Sequence, residues 1–237
     1  MTPAPTGGDG GQKARYVSAM FGRVAARYDL MNRLMSLGMD GAWRRAAVAA
    51  LSCHPGDLVL DVATGTGDFL PLLAGRGYAA TGVDFSLPML RAGGAKVARL
   101  GAVAALAAAD ALQLPFADGT FAGVTNGFLL RNVADVAGAM EEMRRVLRPG
   151  GTLVCLEITW PRSPVVRPLF SFYFGRLMPL LGGLISSQPD AYAYLPRSAA
   201  AFMDAPTLAR TMASVGLREV RYQLLNLGSV ALHVARR

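Results

Sequence analysis

The chain is poor in residues that build covalent or metal staples. It has two cysteines and two histidines in 237 residues. Cys53 adjoins His54, and two neighbouring ligands cannot close a zinc site, so no metal is expected. Cys155 lies in the apolar run Thr152–Leu156 and reads as a small buried hydrophobe. With no disulfide framework in prospect, a reducing cytoplasm is the default compartment. Long apolar runs are also lacking. None reaches about 18 uncharged residues, so no membrane-spanning helix is expected. The nearest candidate, Leu177–Ser186, is too short and follows Arg176. The opening stretch Thr2–Gly11 (TPAPTGGDGG) has no apolar core of the signal-peptide kind, and residues 1–12 are expected to form a disordered tail. Lysine is scarce: Lys13 and Lys96 are the only two, so arginine carries the formal charge of +8. The arginines are spread along the chain, with modest clusters at Arg44-Arg45, Arg144-Arg145-Arg148 and Arg236-Arg237. That spread reads as compositional bias, and a nucleic-acid partner is not expected.

What is present is apolar mass in a regular order. Hydrophobic residues make up 52% of the chain, enough for one domain, residues 13–237, with a large core. Tyr16–Leu51 has helical spacing, interrupted by Gly38 and Gly41. Strands and helices then alternate. Strands are predicted at Leu58–Ala63, Ala79–Asp84, Ala102–Ala109, Phe121–Asn126 and Thr152–Ile158. The intervening helices are predicted at Gly67–Ala74, Leu87–Leu100 with Ser86 as cap, and Val133–Leu147, where Asn132 either orients the loop or caps the helix. This alternation predicts an α/β fold, a doubly wound and mostly parallel sheet. Thr159–Phe202 breaks the pattern and reads as a helical insertion, about 159–204. Pro206–Ser214 is a last helix, and Leu217–Leu224 with Ser229–Ala235 forms a closing hairpin whose last strand is antiparallel.

The turn LDVATGTGD (Leu60–Asp68) follows the first strand and opens a helix, a place where backbone N–H groups meet a nucleotide-like ligand. Gly65 and Gly67 fit a dinucleotide fingerprint, but Leu70 stands where the third glycine belongs. There is no second domain for hydride chemistry, and the sheet closes with an antiparallel pair. These features favour S-adenosyl-L-methionine over a nicotinamide dinucleotide. Its carboxylate would rest near Gly65–Gly67, and its ammonium near Asp61. Asp84, with Phe85 beside it, would take the ribose. Asp110 and Ala111 would meet the adenine, with Leu112 as an apolar wall.

Four stretches carry a resemblance: MFGRVAARYDLMNRLMSLGMDGAWRR (Met20–Arg45), LDVATGTGD, LPFADGTFAGVTNGFLLRNVADVAGAMEEMRRVLRPGG (Leu114–Gly151), and the tail from DAYAYLPRSAAAF (Asp190–Phe202) to GSVALH (Gly228–His233). In these the chain resembles the quinone-biosynthesis C-methyltransferases, which methylate demethylmenaquinol and 2-methoxy-6-polyprenyl-1,4-benzoquinol. The resemblance implies a class I methyltransferase with a seven-stranded sheet. It also implies a cofactor set of Thr66, Asp84, Asp110 and Ala111, and a contact at Asn126–Gly127 after the fourth strand. Three positions depart from the family pattern, which often has serine at Gly127, asparagine at Asp110 and glycine at Leu129.

The implied reaction methylates a ring carbon of a prenylated quinol, in menaquinone or ubiquinone biosynthesis. It needs a stabiliser for phenolate charge and a base. Arg131 is the candidate stabiliser, the alternative being a structural salt bridge, to Asp135 for instance. His233 is a candidate base or a structural histidine. Tyr28 is placed over the methionine part or in core packing, and Tyr194 at the substrate mouth or on the surface. Val165–Ile185, apolar with Arg167 and Arg176, is a helical lid with or without a membrane-facing edge. A homodimer and peripheral contact with the membrane are the remaining partner expectations. The rival readings are a phosphatidylethanolamine N-methyltransferase and a non-catalytic S-adenosylmethionine-binding subunit.

Overall fold

The computed structural model describes residues 10–178, 180 and 189–237. Residues 1–9 of the expected tail and 179 and 181–185 of the expected lid lie outside the described residues, while helix α1 (Gly10–Val24) already runs from Gly10. A one-turn 3-10 segment leads into α2 (Tyr28–Met35), and α3 (Asp40–Ala49) completes an N-terminal helical layer.

The sheet has seven strands: β1 (Leu58–Val62), β2 (Ala79–Asp84), β3 (Ala104–Ala108), β4 (Phe121–Gly127), β5 (Leu147–Ile158), β6 (Arg218–Leu225) and β7 (Val230–Arg236). Their spatial order is β3-β2-β1-β4-β5-β7-β6. β1 to β5 pair in parallel, and β7 runs antiparallel to both β5 and β6. Central strands are apolar on both faces because helices cover both. Val59 packs with Val48, Leu70 and Val97 on one side, and Leu60 packs with Met140, Met143 and Leu208 on the other. The helices that supply those residues are α3, α4 (Leu70–Ala74), α5 (Leu87–Ala98), α6 (Val136–Val146) and α9 (Ala205–Ser214). Between β5 and α9 lie α7 (Val166–Phe172), a π-helical turn at Tyr173–Leu177, and α8 (Pro189–Ala201). Trp160, Phe170 and Phe174 form a small core of their own there, with Phe170 and Phe174 stacked at 5.1 Å.

Several boundaries differ from the sequence reading for local reasons. α6 starts at Val136, not Val133, because Asp135 is its N-cap and accepts from the Gly138 N–H at 2.9 Å. Asn132 instead donates to the Phe128 carbonyl at 3.1 Å. Ser86 precedes α5 but makes no capping bond. A 3-10 turn at Gly101–Val103 shortens β3. The first helix after the glycine turn begins at Leu70, with Pro71 in its first turn, where a missing N–H costs nothing.

The strand order reverses between β1 and β4, so their carboxyl ends open a crevice, the place where open α/β sheets bind ligands. Two non-glycine residues there, Ala63 (φ 57°) and Phe128 (φ 61°), sit in the left-handed region, a strain that concentrates at functional sites.

Candidate active site

Two cavities meet at this crevice. One, of about 350 Å³, runs along the ends of β1 to β4 past Gly65, Asp84, Phe85, Asp110, Ala111 and Gly127. The other, of about 230 Å³, lies between the N-terminal helices and the insertion and is walled by Met35, Trp43, Ile158, Phe170 and Phe174, with Arg131 among its lining. Tyr28 and Phe128 line both, so two side chains form a shared wall.

The first cavity is built by backbone geometry. Gly65 (φ +59°) and Gly67 (φ +80°) turn the chain in a conformation other residues avoid. A side chain at 65 would reach Met89 at 3.3 Å and Tyr28 at 3.9 Å, which both line this cavity. The turn is pressed on by α5, where a Cβ on Gly93 would stand 2.4 Å from the Thr66 carbonyl. Asp84 accepts from the Gly65 N–H and the Ser86 N–H, each at 2.8 Å. Burial pushes the Asp84 carboxyl up, and those two N–H groups pull it back. Each oxygen keeps a lone pair for a ligand hydroxyl. Ser86 Oγ and Asn132 Oδ1 are buried without partners among the described residues, on side chains that line the same cavity. Asp110 is held in a turn by the Leu112 N–H at 2.9 Å, and Leu112 supplies an apolar wall.

Asp61, Thr66 and Asn126 lie just below this lining. Asp61 is 1% exposed and accepts from the Thr125 hydroxyl at 2.8 Å. Among the described residues its second oxygen meets no donor in good hydrogen-bond geometry, though the Thr64 hydroxyl lies close enough to act on it. Burial pushes the Asp61 carboxyl up to about 7, against the pull of Thr64 and Thr125. Thr66 donates to Asp29 at 2.5 Å. Asp29 also pairs with Lys96 (2.9 Å), which pairs with Asp68 (2.5 Å), which in turn meets Arg44 at 3.3 Å. This chain of charges ties α2, α3 and α5 to the glycine turn. Asn126 points into the core and donates to Cys155 Sγ at 2.8 Å. At Gly127, a Cβ would meet Phe69 at 2.9 Å, so the phenyl ring takes the room a side chain there would need.

The lining of the second cavity holds two guanidiniums: Arg44, paired with Asp40 at 2.6 Å and Asp68 at 3.3 Å, and Arg131. The Arg131 guanidinium does not pair with Asp135, which is occupied as the α6 cap. Nη1 contacts Glu157 Oε1 at 2.5 Å and donates to the Phe128 carbonyl at 2.8 Å, and the Phe128 ring lies 5.7 Å from its Cζ. Glu157, 1% exposed at the end of β5, also accepts from the Ile158 N–H at 2.9 Å. Sequence reasoning passed over Glu157, Phe128 and Trp43; the signal for Glu157 was an acid at the carboxyl end of the apolar run Thr152–Ile158. Tyr194 joins Arg131 and Tyr28 around a small adjoining cavity of about 50 Å³. Burial raises the Tyr194 hydroxyl, with Arg131 pulling it down, and burial likewise raises Tyr28. His233 lies elsewhere. It is fully buried on β7, and its Nε2–H donates to the Ala205 carbonyl at 2.9 Å, which ties β7 to α9. Burial lowers its basicity, and it lines neither cavity.

The chain's likeness to known proteins agrees with this architecture. The ubiE/COQ5 methyltransferase family matches residues 10–237. The demethylmenaquinone methyltransferase of Roseiflexus castenholzii is 48% identical over 224 residues, covering 94% of this chain and 93% of that one. The enzyme of the same name from Thermus thermophilus is 46% identical, covering 92% and 100%. In fold, the chain is similar to a SAM dependent methyltransferase from Aquifex aeolicus, with a TM-score of 0.61 at 17% identity, covering 88% and 97%. With its whole described length matched and its sheet closed by an antiparallel strand, the chain belongs to the ubiE/COQ5 methyltransferase family.

Proposed function

We propose that this methyltransferase C-methylates the ring of a prenylated naphthoquinol in menaquinone biosynthesis. The observation that carries the reading is the pair of cavities sharing the Tyr28–Phe128 wall, one edged with carboxylates, the other mostly apolar with Arg131 of a buried ion pair in its lining. The naphthoquinol head group is preferred over a benzoquinol because the most similar relatives are named for demethylmenaquinone.

The residues of the first cavity fit S-adenosylmethionine. Asp84 and Ser86 would offer acceptors for a ribose diol, Asp110 would meet the adenine end, Phe85 and Leu112 would supply apolar surface for the ring, and Asp61 below the turn would suit an ammonium. When bound, S-adenosylmethionine supplies an electrophilic methyl group. The chain's own work is placement and charge. Tyr28 and Phe128 keep water from the line between the cavities. Arg131 holds the ring oxygen that gains negative character as the quinol loses its proton. Burial keeps the Tyr28 and Tyr194 hydroxyls protonated, so they donate hydrogen bonds rather than take protons.

A prenyl tail requires a lipid-facing opening. Among the described residues, no helix is long and apolar enough to cross a membrane. The helices around the second cavity expose Leu34, Leu169 and Phe172, the turn after α2 exposes Leu37, and beside them stand Arg33, Arg167 and Arg176. This rim suits peripheral contact with an anionic bilayer. The reading is tested by incubating the protein with methyl-labelled S-adenosylmethionine and separate pools of reduced demethylnaphthoquinone and demethylbenzoquinone. Label in the naphthoquinol pool is expected. Label only in the benzoquinol, or in added phosphatidylethanolamine, overturns the assignment.

A further inference from the structure

We propose that Glu157, acting through Arg131, makes the second cavity selective for neutral aromatic rings and closes it to their carboxylated counterparts. The inference rests on the reading of that cavity as the acceptor site. A guanidinium among Trp43, Ile158, Phe170 and Phe174 is by itself a receptor for aromatic acids, because its planar fork matches a carboxylate. Here the chain supplies that carboxylate. Glu157 Oε1 lies 2.5 Å from Arg131 Nη1, and Oε2 accepts from the Arg131 backbone N–H at 3.4 Å. The pair cancels in charge, and both members are nearly sealed from water, with side chains 6% and 1% exposed. The Ile158 N–H and the Phe128 carbonyl hold it from either side, so neither partner swings away to meet a guest.

An incoming ring acid therefore loses its hydration and faces a fixed negative charge just behind the cation it would bind. A ring hydroxyl pays neither penalty: it stays neutral on entry and meets the cation only as its own charge develops. Glu157 thus decides which ring enters, while Arg131 makes the contact. Isosteric replacement by glutamine keeps an acceptor for the Ile158 N–H, at the cost of the long bond from the Arg131 N–H, and removes the charge, which exposes the anion receptor.

The test uses two probes of one shape, 2-naphthol and 2-naphthoate, titrated by calorimetry into protein saturated with S-adenosylhomocysteine. The wild type binds the naphthol more tightly by at least about tenfold, the scale of one charge-assisted contact. Glu157→Gln gains at least about tenfold for the naphthoate, and adding Arg131→Gln removes that gain. Equal or tighter binding of the naphthoate by the wild type overturns the inference, and this comparison needs no variant to fold. So does a Glu157→Gln protein that still binds S-adenosylhomocysteine without gaining naphthoate affinity, or a gain that survives Arg131→Gln. Failure of the wild type to methylate any quinol, with the naphthol preference intact, overturns the proposed substrate and leaves the selectivity standing.

Discussion

The Arg131–Glu157 pair lends itself to a double-mutant cycle. Two opposite unit charges about 4 Å apart attract by roughly 4 kcal/mol at an effective dielectric of about 20. That attraction is set against the cost of drying both groups, so the pair's net worth is modest. Breaking it is another matter. Arg131→Met leaves a carboxylate 1% exposed with no cation against it, and the expected loss is about 3–5 kcal/mol. Glu157→Gln takes away the guanidinium's carboxylate partner, a loss softened because the amide still accepts from Ile158. The double variant carries neither charge. Its expected cost is smaller than the sum of the single costs by at least about 2 kcal/mol. Urea unfolding of the cofactor-free proteins, with matching slopes, measures all four corners. Additivity within about 0.5 kcal/mol would refute the reasoning, because it would mean the charges do not share a dry environment.

Four further outcomes are expected. Asp84→Asn keeps only one of the two backbone bonds, from Gly65 or Ser86, and weakens a charge-assisted contact to the ribose, raising the Kd for S-adenosylhomocysteine by about tenfold to a hundredfold in calorimetry. Asp61, raised to about 7 by burial, is more protonated in the folded chain than unfolded between about pH 4 and 7. Cofactor-free stability therefore falls as pH rises through that window, while affinity for the ligand ammonium rises near its upper end; Asp61→Asn flattens both curves in melting and calorimetric titrations. Lys96→Met cuts the link between Asp29 and Asp68, at a cost of only about 0.5–1 kcal/mol because Lys96 is partly exposed, and limited proteolysis then cleaves the N-terminal helices faster. His233→Gln lowers stability by about 1–2 kcal/mol through the lost bond to Ala205, yet leaves kcat within about twofold; a collapse of kcat in folded protein would restore histidine as the base.

Much of this architecture is legible in the sequence because it is local. Leu58-Val59-Leu60, the glycine turn and Asp84 announce a strand, a sharp turn and a second strand end without any knowledge of distant partners. Asp110 and Gly127 follow, since strand ends in a parallel sheet share one edge. The rest is decided by long-range competition for partners. Thr66 has the composition of a ligand contact, but Asp29, far away in sequence, takes its hydroxyl. Asp135 looks like a salt-bridge partner for Arg131, but the free N–H of Gly138 claims it first, and Glu157 fills the vacancy. His233 has the chemistry of a base, yet strand alternation turns it toward α9 and away from the crevice. Phe128 carries no ionisable group, so nothing in its identity marks it as the wall between two cavities.

The central claim is that donor and acceptor cavities meet across Tyr28 and Phe128 so that a ring carbon is methylated. A single turnover with carbon-13-labelled methyl donor and a reduced prenylated demethylnaphthoquinone, read by nuclear magnetic resonance of the extracted product, tests it directly. The account predicts the label on the open ring carbon beside the prenyl chain. Label on a quinol oxygen, or none in the quinol while the cofactor remains bound, would contradict it.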